Sequence, residues 1–230
     1  MNGFTSKANS LNNPGDAFEI PRQRMVEQLR SQYSIRDERV LAAMQSVPRH
    51  LFVPEALKAQ AYKDNALPLA AGQTISQPFI VARMTELLEL NGSERVLEIG
   101  FGSGYQTAIL SLLARKIYAI ERVREIAEVA KARLMAMGFR NISYRVADGT
   151  LGWPIYAPFD AILVAAGGPR VPETLVRQLD PGGRLVMPVG REEKSQTLVR
   201  VTLTDKGPKY EEFGRCSFVP LIGEHGWKSD

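Results

Sequence analysis

Three alternating glycines, Gly100, Gly102 and Gly104, stand in the segment Arg95 to Leu110, RVLEIGFGSGYQTAIL, between a short apolar run and a helical pattern. Glycine lets a backbone approach a ligand closely, and the N-terminus of the following helix presents unpaired N–H groups. The chemistry on offer is therefore binding of a nucleotide-type cofactor. Glu121 ends the next strand about 20 residues further on, where a carboxylate can accept hydrogen bonds from both ribose hydroxyls. Glu98 lies among Val96, Leu97 and Ile99, an expensive place for a carboxylate unless it has partners. Asp148-Gly149 closes a third strand. Each feature has a plainer reading: a strand-to-helix turn for Gly102 and Gly104, a surface pair with Arg122 or Arg124 for Glu121, and a simple turn for Asp148-Gly149. Together, at the carboxyl ends of three consecutive strands, they favour the shared site.

Those positions imply a parallel sheet. Val96–Ile99 is a short apolar run of the buried-strand type, and Ile117–Ile120, Ile142–Val146 and Ala161–Val164 read as further strands, alternating with helical patterns at Thr107–Ala114 and Glu125–Met137 and followed by another at Pro172–Gln178. Such alternation predicts an α/β, doubly wound, mostly parallel sheet whose ligands bind at the carboxyl edge. After the turn signal Asp180-Pro181-Gly182-Gly183, strands at Arg184–Pro188 and Thr197–Leu203 predict an antiparallel hairpin at one edge, with a last strand at Phe218–Leu221. Upstream, Met25, Val26, Leu29, Val40, Leu41, Met44 and Val47 recur at helical spacing, predicting two or three short helices. The stretch Asn65 to Gln77 has no sustained period, and Pro78 can open a helix running to about Leu90. One domain is expected over 21–230, with helices and a substrate loop at 21–93, a cofactor-binding core at 94–190 and C-terminal strands at 191–230. Residues 1–20 read as a flexible tail.

The chain has 230 residues, 44% of them hydrophobic, enough for one full core. Lys plus Arg is 29 against 25 Asp plus Glu, spread without a long basic block, so no nucleic-acid partner is indicated. No run is long enough to span a bilayer, and the first residues lack a signal-peptide pattern, so no membrane partner is expected. Cys216 is the single cysteine, which excludes an intrachain disulfide and fits a reducing cytoplasm; no cysteine cluster or close His pair marks a metal site. A monomer is expected. His50 and His225 read as structural or surface residues.

Tyr105 occupies the place of the last glycine in the dinucleotide pattern G-x-G-x-x-G, which leans away from NAD. The glycine loop with Glu121 and Asp148 resembles the constellation of S-adenosyl-L-methionine-dependent methyltransferases. That resemblance implies a Rossmann-like fold in which Asp148, beside Gly149, faces the adenine amino group and Glu98 helps place the methionine end. After the fourth strand the chain reads Ala165-Ala166-Gly167-Gly168-Pro169, neither of the usual base-methylation signatures, and Asp160 alone is no metal-binding cluster.

Upstream, Gly72 to Met84 reads GQTISQPFIVARM. With DERVLAAM, VPRHLFVPEAL, VLEIG-x-GSGYQ, FDAILV, LDPGGRLVMPVG and FVPLIG, it closely resembles the protein-L-isoaspartate O-methyltransferase family from about Arg24 to Gly223. The resemblance implies a repair enzyme that methylates the free α-carboxylate of L-isoaspartyl residues in damaged proteins and peptides. It implies Ser76 as the active-site serine and a peptide site involving Thr74, Ile75, Gln77 and Val219. A carboxylate is already anionic at neutral pH, so no general base is needed, and a hydroxyl donor at Ser76 would orient it. The plainer reading of Ser76 is a helix cap before Pro78. The chain departs from the family at Phe101, where Thr is usual, at Phe79, where Tyr is frequent, and at Gly167-Gly168-Pro169-Arg170, which is expected to loosen the methyl-transfer site. Two alternatives stand beside this reading: a methyltransferase for another carboxylate acceptor, and a non-catalytic cofactor-binding module.

Overall fold

In a computed structural model the structure describes residues 16–192 and 195–228. Of the tail expected over 1–20, residues 1–15 lie outside the described residues, and Glu19 already opens the first helix.

Helices α1 (Glu19–Ser31) and α2 (Glu38–Ser46) come first. Asp37 caps α2 by accepting from the N–H groups of Arg39 and Val40. Two 3-10 turns follow, at Arg49–Phe52 and Glu55–Gln60. The stretch that shows no period in the sequence contains a small antiparallel pair, β1 (Leu67–Pro68) with β2 (Thr74–Ile75), and then α3 (Pro78–Leu87).

The sheet begins with β3 (Arg95–Ile99), then α4 (Tyr105–Leu113), β4 (Lys116–Glu121), α5 (Arg124–Ala136) and β5 (Ile142–Val146). The chain then returns to the centre with β6 (Phe159–Val164), a one-turn helix α6 (Glu173–Val176) and β7 (Leu179–Glu192), before β8 (Ser195–Thr204) and β9 (Gly207–Cys216). Spatial order is β5-β4-β3-β6-β7-β8-β9. The first five strands in that order are parallel, β8 pairs antiparallel with β7, and β9 pairs antiparallel with β8. The chain therefore reverses its direction of travel between β3 and β6, and a crevice opens beyond their carboxyl ends, where open α/β sheets bind ligands.

Alternate residues of β3 feed different cores, as a strand buried on both faces requires. Val96 packs with α1 to α5, whereas Leu97 and Ile99 pack with Ile162, Leu175 and Met187 on the other side. That second face is covered by α6 and by 3-10 turns at Gly149–Leu151 and Pro154–Tyr156.

Two expectations at the C-terminal edge need correction. The antiparallel edge has one more strand than the hairpin read from the sequence, because β9 pairs along β8 from Gly207 to Cys216. Phe218–Leu221 is not a strand: a single bridge joins Pro220 to Gly167, and the segment otherwise runs irregularly across the sheet edge. Among the described residues no helix is long and apolar enough to cross a membrane.

Candidate active site

The crevice holds a cavity of about 290 Å³. Its walls bring together segments far apart in the chain: the Gly72–Ser76 loop, the loop after β3 with the start of α4, the end of β4 at Ile120–Val123, Gly149, and the C-terminal segment Phe218–Ile222. Of the residues singled out in the sequence, it brings together Thr74, Ile75, Ser76, Gly100, Gly102, Glu121, Gly149 and Val219. Gln77, Glu98, Gly104 and Asp148 do not line it.

The glycine loop leaves β3 when Gly100 donates its N–H to Ile120 O at 2.8 Å. Gly104 has φ +86°, and a Cβ on it would lie 2.9 Å from Leu134 Cδ1, so both conformation and packing of α4 against α5 call for glycine there. Glu121 is buried, and its carboxylate is oriented by main-chain donors: Gly102 N–H to Oε2 at 3.0 Å, Arg122 and Val123 N–H to Oε1 at 2.7 and 3.0 Å. Among the described residues neither Arg122 nor Arg124 forms an ion pair with it. Glu121 is thus a fixed acceptor on the cavity wall, with lone pairs left for ligand hydroxyls.

Gly149 enters the wall because nothing larger fits: a Cβ there would stand 2.3 Å from Ile99 Cγ2. Gly149→Ala is expected to destabilise the fold by about 1–3 kcal/mol through overpacking and to weaken cofactor binding. Thermal denaturation with and without S-adenosylhomocysteine checks this; an unchanged midpoint would contradict it. The neighbouring Asp148 is held in place by three hydrogen bonds. Its Oδ1 accepts from the Thr150 N–H and hydroxyl at 2.8 and 2.7 Å, and its Oδ2 accepts from Glu224 N–H at 2.8 Å. Burial alone would raise its carboxyl, but the Glu224 and Thr150 donors outweigh it and hold the group below its ordinary value. Asp148 thereby fastens the C-terminal segment that roofs the cavity.

Glu98 is 0% exposed, beneath the glycine loop, with neither carboxyl oxygen hydrogen-bonded among the described residues. Burial pushes it up to about 8, Thr107 opposing and Glu121 adding to the rise. Between the ordinary carboxyl value of 4.5 and about 8, the folded state holds a proton that the unfolded chain has lost. Stability must therefore fall as pH rises through that window, by at most about 1.4 kcal/mol per pH unit. Glu98→Gln removes the titration. Melting curves without cofactor should show the variant gaining on the parent between pH 5 and pH 8; parallel pH profiles would contradict the assignment.

Ser76 lines the cavity and is half-buried. It does not cap α3. Gln77 precedes the helix with no capping side chain of its own, and the Phe79 N–H goes instead to Asp64 Oδ1 at 2.8 Å. Asp64 Oδ2 also accepts from Gln77 Nε2 at 2.8 Å, which turns Gln77 away from the cavity. Thr74, beside Ser76, is exposed at the rim.

The Gly167-Gly168 turn is pinned rather than loose. Gly167 N–H donates to Val219 O at 2.8 Å, while Gly167 O accepts from Leu221 N–H and Trp227 Nε1 at 2.8 and 3.0 Å. Gly168 N–H donates to Pro188 O, and Gly168 O accepts from Gly190 N–H. This clasp carries Val219 to the cavity. Of the other departures, Phe101 is buried edge-on to Tyr144 and Phe79 stacks on Tyr33 at 4.5 Å, so both are absorbed by packing.

A family model described as Protein-L-isoaspartate(D-aspartate) O-methyltransferase matches residues 20–226. The chain belongs to this family. The isoaspartate methyltransferase of Trichlorobacter lovleyi is 55% identical over 212 residues, covering 92% of this chain and 97% of that one. A Syntrophobacter fumaroxidans relative is 54% identical over 211 residues, covering 92% and 98%. A solved protein-L-isoaspartate O-methyltransferase superposes with a TM-score of 0.81 at 28% identity, over 89% of this chain and 67% of that one. The fold is shared as well with a Plasmodium falciparum protein solved with S-adenosyl-L-homocysteine, at TM-score 0.76 and 23% identity, over 87% and 98%. Protein-L-isoaspartate methyltransferases use S-adenosylmethionine to methylate isoaspartyl residues in repair.

Several wall residues are not legible as functional in the sequence: Tyr105, Gln106, Met84 and Ile222. Tyr105 follows the glycine loop directly, and that adjacency was the available signal. Ile222 reaches the cavity through the Gly167 clasp on its neighbours Val219 and Leu221, a long-range contact with no local pattern.

Proposed function

We propose that the cavity holds S-adenosylmethionine against the glycine loop and Glu121, and that Ser76, with Thr74, Ile75 and Val219, seats the free α-carboxylate of an L-isoaspartyl residue. The observation that carries this reading is the meeting of the Gly72–Ser76 loop and the glycine loop in one cavity. The residues fit the cofactor: Glu121 is a pre-oriented acceptor, and the Gly149 wall has no room for a side chain. When bound, the cofactor supplies an electrophilic methyl carbon on a sulfonium. The chain's task is then alignment. The acceptor carboxylate, ordinarily titrating near pH 4, attacks as an anion without a general base. A hydrogen bond donated by the Ser76 hydroxyl to one carboxylate oxygen leaves the other free for in-line attack. The C-terminal segment closes the site from the far side and keeps bulk water from competing.

The same reading has the enzyme act in the cytoplasm as a monomer, on proteins and peptides, without a nucleic-acid or membrane partner. A single cysteine and a nearly balanced charge support it. The test pairs two peptides differing only in an isoaspartyl or aspartyl residue, with labelled S-adenosylmethionine. A base-labile methyl ester on the isoaspartyl peptide alone is expected; equal labelling of both, or none, contradicts the reading.

A further inference from the structure

Arg49 opens the first 3-10 turn, and its side chain is 0% exposed. Its Nε donates to Ala61 O at 2.7 Å, its Nη2 donates to Ser76 O at 2.8 Å, and its guanidinium lies 4.8 Å from the centroid of the Tyr105 ring. Among the described residues no carboxylate forms an ion pair with it, and its Nη1 and the Tyr105 hydroxyl are both buried without hydrogen-bond partners. Burial pushes the guanidinium below its ordinary value, with Tyr105, Tyr62 and Asp64 opposing.

A charge removed from water without a paired carboxylate costs several kcal/mol that an apolar side chain of similar volume would not. Packing alone therefore gives no reason for arginine at this place. What the guanidinium adds is direction. One planar group grips the carbonyl of Ser76 and stacks on Tyr105, and both of those residues line the cavity, one from the substrate loop and one from the end of the glycine loop. Two residues downstream of that carbonyl hold a second grip: Asp64 takes Gln77 Nε2 and Phe79 N–H. The Ser76–Phe79 segment is thus fixed by a cation at its start and an anion at its end, both from the turn region before β1.

We propose that Arg49 and Asp64 are positioning residues for methyl transfer, clamping the Ser76–Phe79 segment so that the Ser76 hydroxyl is held in register with Tyr105 and the glycine loop. The inference rests on the reading of Ser76 as the residue that seats the acceptor carboxylate. Releasing the Ser76 carbonyl lets that peptide unit turn, and a misplacement of about 1 Å at a reacting group costs on the order of 10²-fold in rate. The cofactor half of the cavity keeps its own anchors at Glu121 and Gly149.

The test compares Arg49→Lys and Asp64→Asn with the parent enzyme in three readouts: kcat and KM for an isoaspartyl peptide, the Kd for S-adenosylhomocysteine by calorimetry, and the melting temperature. Lysine keeps the charge but cannot grip two carbonyls and stack in one plane. The expected result is a loss in kcat/KM of about 10- to 100-fold for Arg49→Lys and about 5- to 10-fold for Asp64→Asn, with the cofactor-product Kd within about threefold of the parent. Should Arg49→Lys fail to fold, the half-buried Asp64 decides the matter. A kcat/KM within about threefold of the parent in the folded variants would overturn the proposal. So would a loss of S-adenosylhomocysteine affinity in step with turnover, since the role would then be general support. Ser76→Ala run alongside separates the two layers: an impaired Ser76→Ala with normal Arg49 and Asp64 variants overturns this inference alone, whereas an unaffected Ser76→Ala overturns the reading beneath it.

Discussion

Ser76→Ala is expected to lower kcat for an isoaspartyl peptide by about 10²-fold while leaving S-adenosylhomocysteine affinity within about threefold of the parent. The split follows from where Ser76 sits. It lines the substrate side of the cavity, on a loop whose start is tied to Leu67–Pro68 and whose end is held by Asp64, and it makes no cap for α3. Losing the hydroxyl therefore costs little fold stability. In the proposed mechanism it removes the donor that orients one oxygen of the acceptor, so both oxygens then compete for the methyl in unproductive geometries. Steady-state kinetics and calorimetry on the same preparation check both halves. An unchanged kcat would return Ser76 to a surface role, and a fall in cofactor affinity equal to the fall in kcat would mean that the loop collapses.

Glu121→Ala should have the opposite signature. S-adenosylhomocysteine binding is expected to weaken by about 10- to 100-fold, the worth of hydrogen bonds to a charged group, and KM for the methyl donor should rise with it. The carboxylate does two things at once. It offers lone pairs to the cavity, and it collects the N–H groups of Gly102, Arg122 and Val123, tying the glycine loop to the end of β4. Glu121→Gln keeps the shape and one acceptor oxygen, so it should fall between parent and alanine variant. If the alanine variant binds S-adenosylhomocysteine as the parent does, the cofactor lies elsewhere in the crevice.

The elements easiest to read from the sequence were those whose burial is written locally. Ala161–Val164 is apolar without interruption and Val96–Ile99 is broken only by Glu98, because both faces of β3 and β6 are covered, and the glycine loop is contiguous. β9 is hard to read for the opposite reason. As an edge strand it is mostly exposed and carries Lys209, Glu211 and Glu212, the charges that blunt a sheet edge, so its pattern has little apolar signal. Phe218–Leu221 has the composition of a strand, yet Pro220 has no N–H to offer a ladder, and the segment serves as a roof held by Gly167 instead, with Asp148 fastening the chain just beyond it at Glu224. The expected loosening at Gly167-Gly168 fails because the backbone groups of both glycines find partners on β7 and on the C-terminal segment. In the same way the cofactor side of the site is visible as a motif, whereas Arg49 and Asp64 act through contacts with the Ser76–Phe79 segment that no local spacing announces.

In the proposed mechanism one cavity presents the acceptor carboxylate, held at Ser76, to a methyl donor held at the glycine loop and Glu121. A crystal structure of the enzyme with S-adenosylhomocysteine and an isoaspartyl peptide tests it most directly. One α-carboxylate oxygen is expected within about 2.5–3.0 Å of Ser76 Oγ, with the other facing the sulfur and the ribose hydroxyls on Glu121. An isoaspartyl carboxylate bound away from the Gly72–Ser76 loop, or a cofactor product that leaves Glu121 uncontacted, would contradict it.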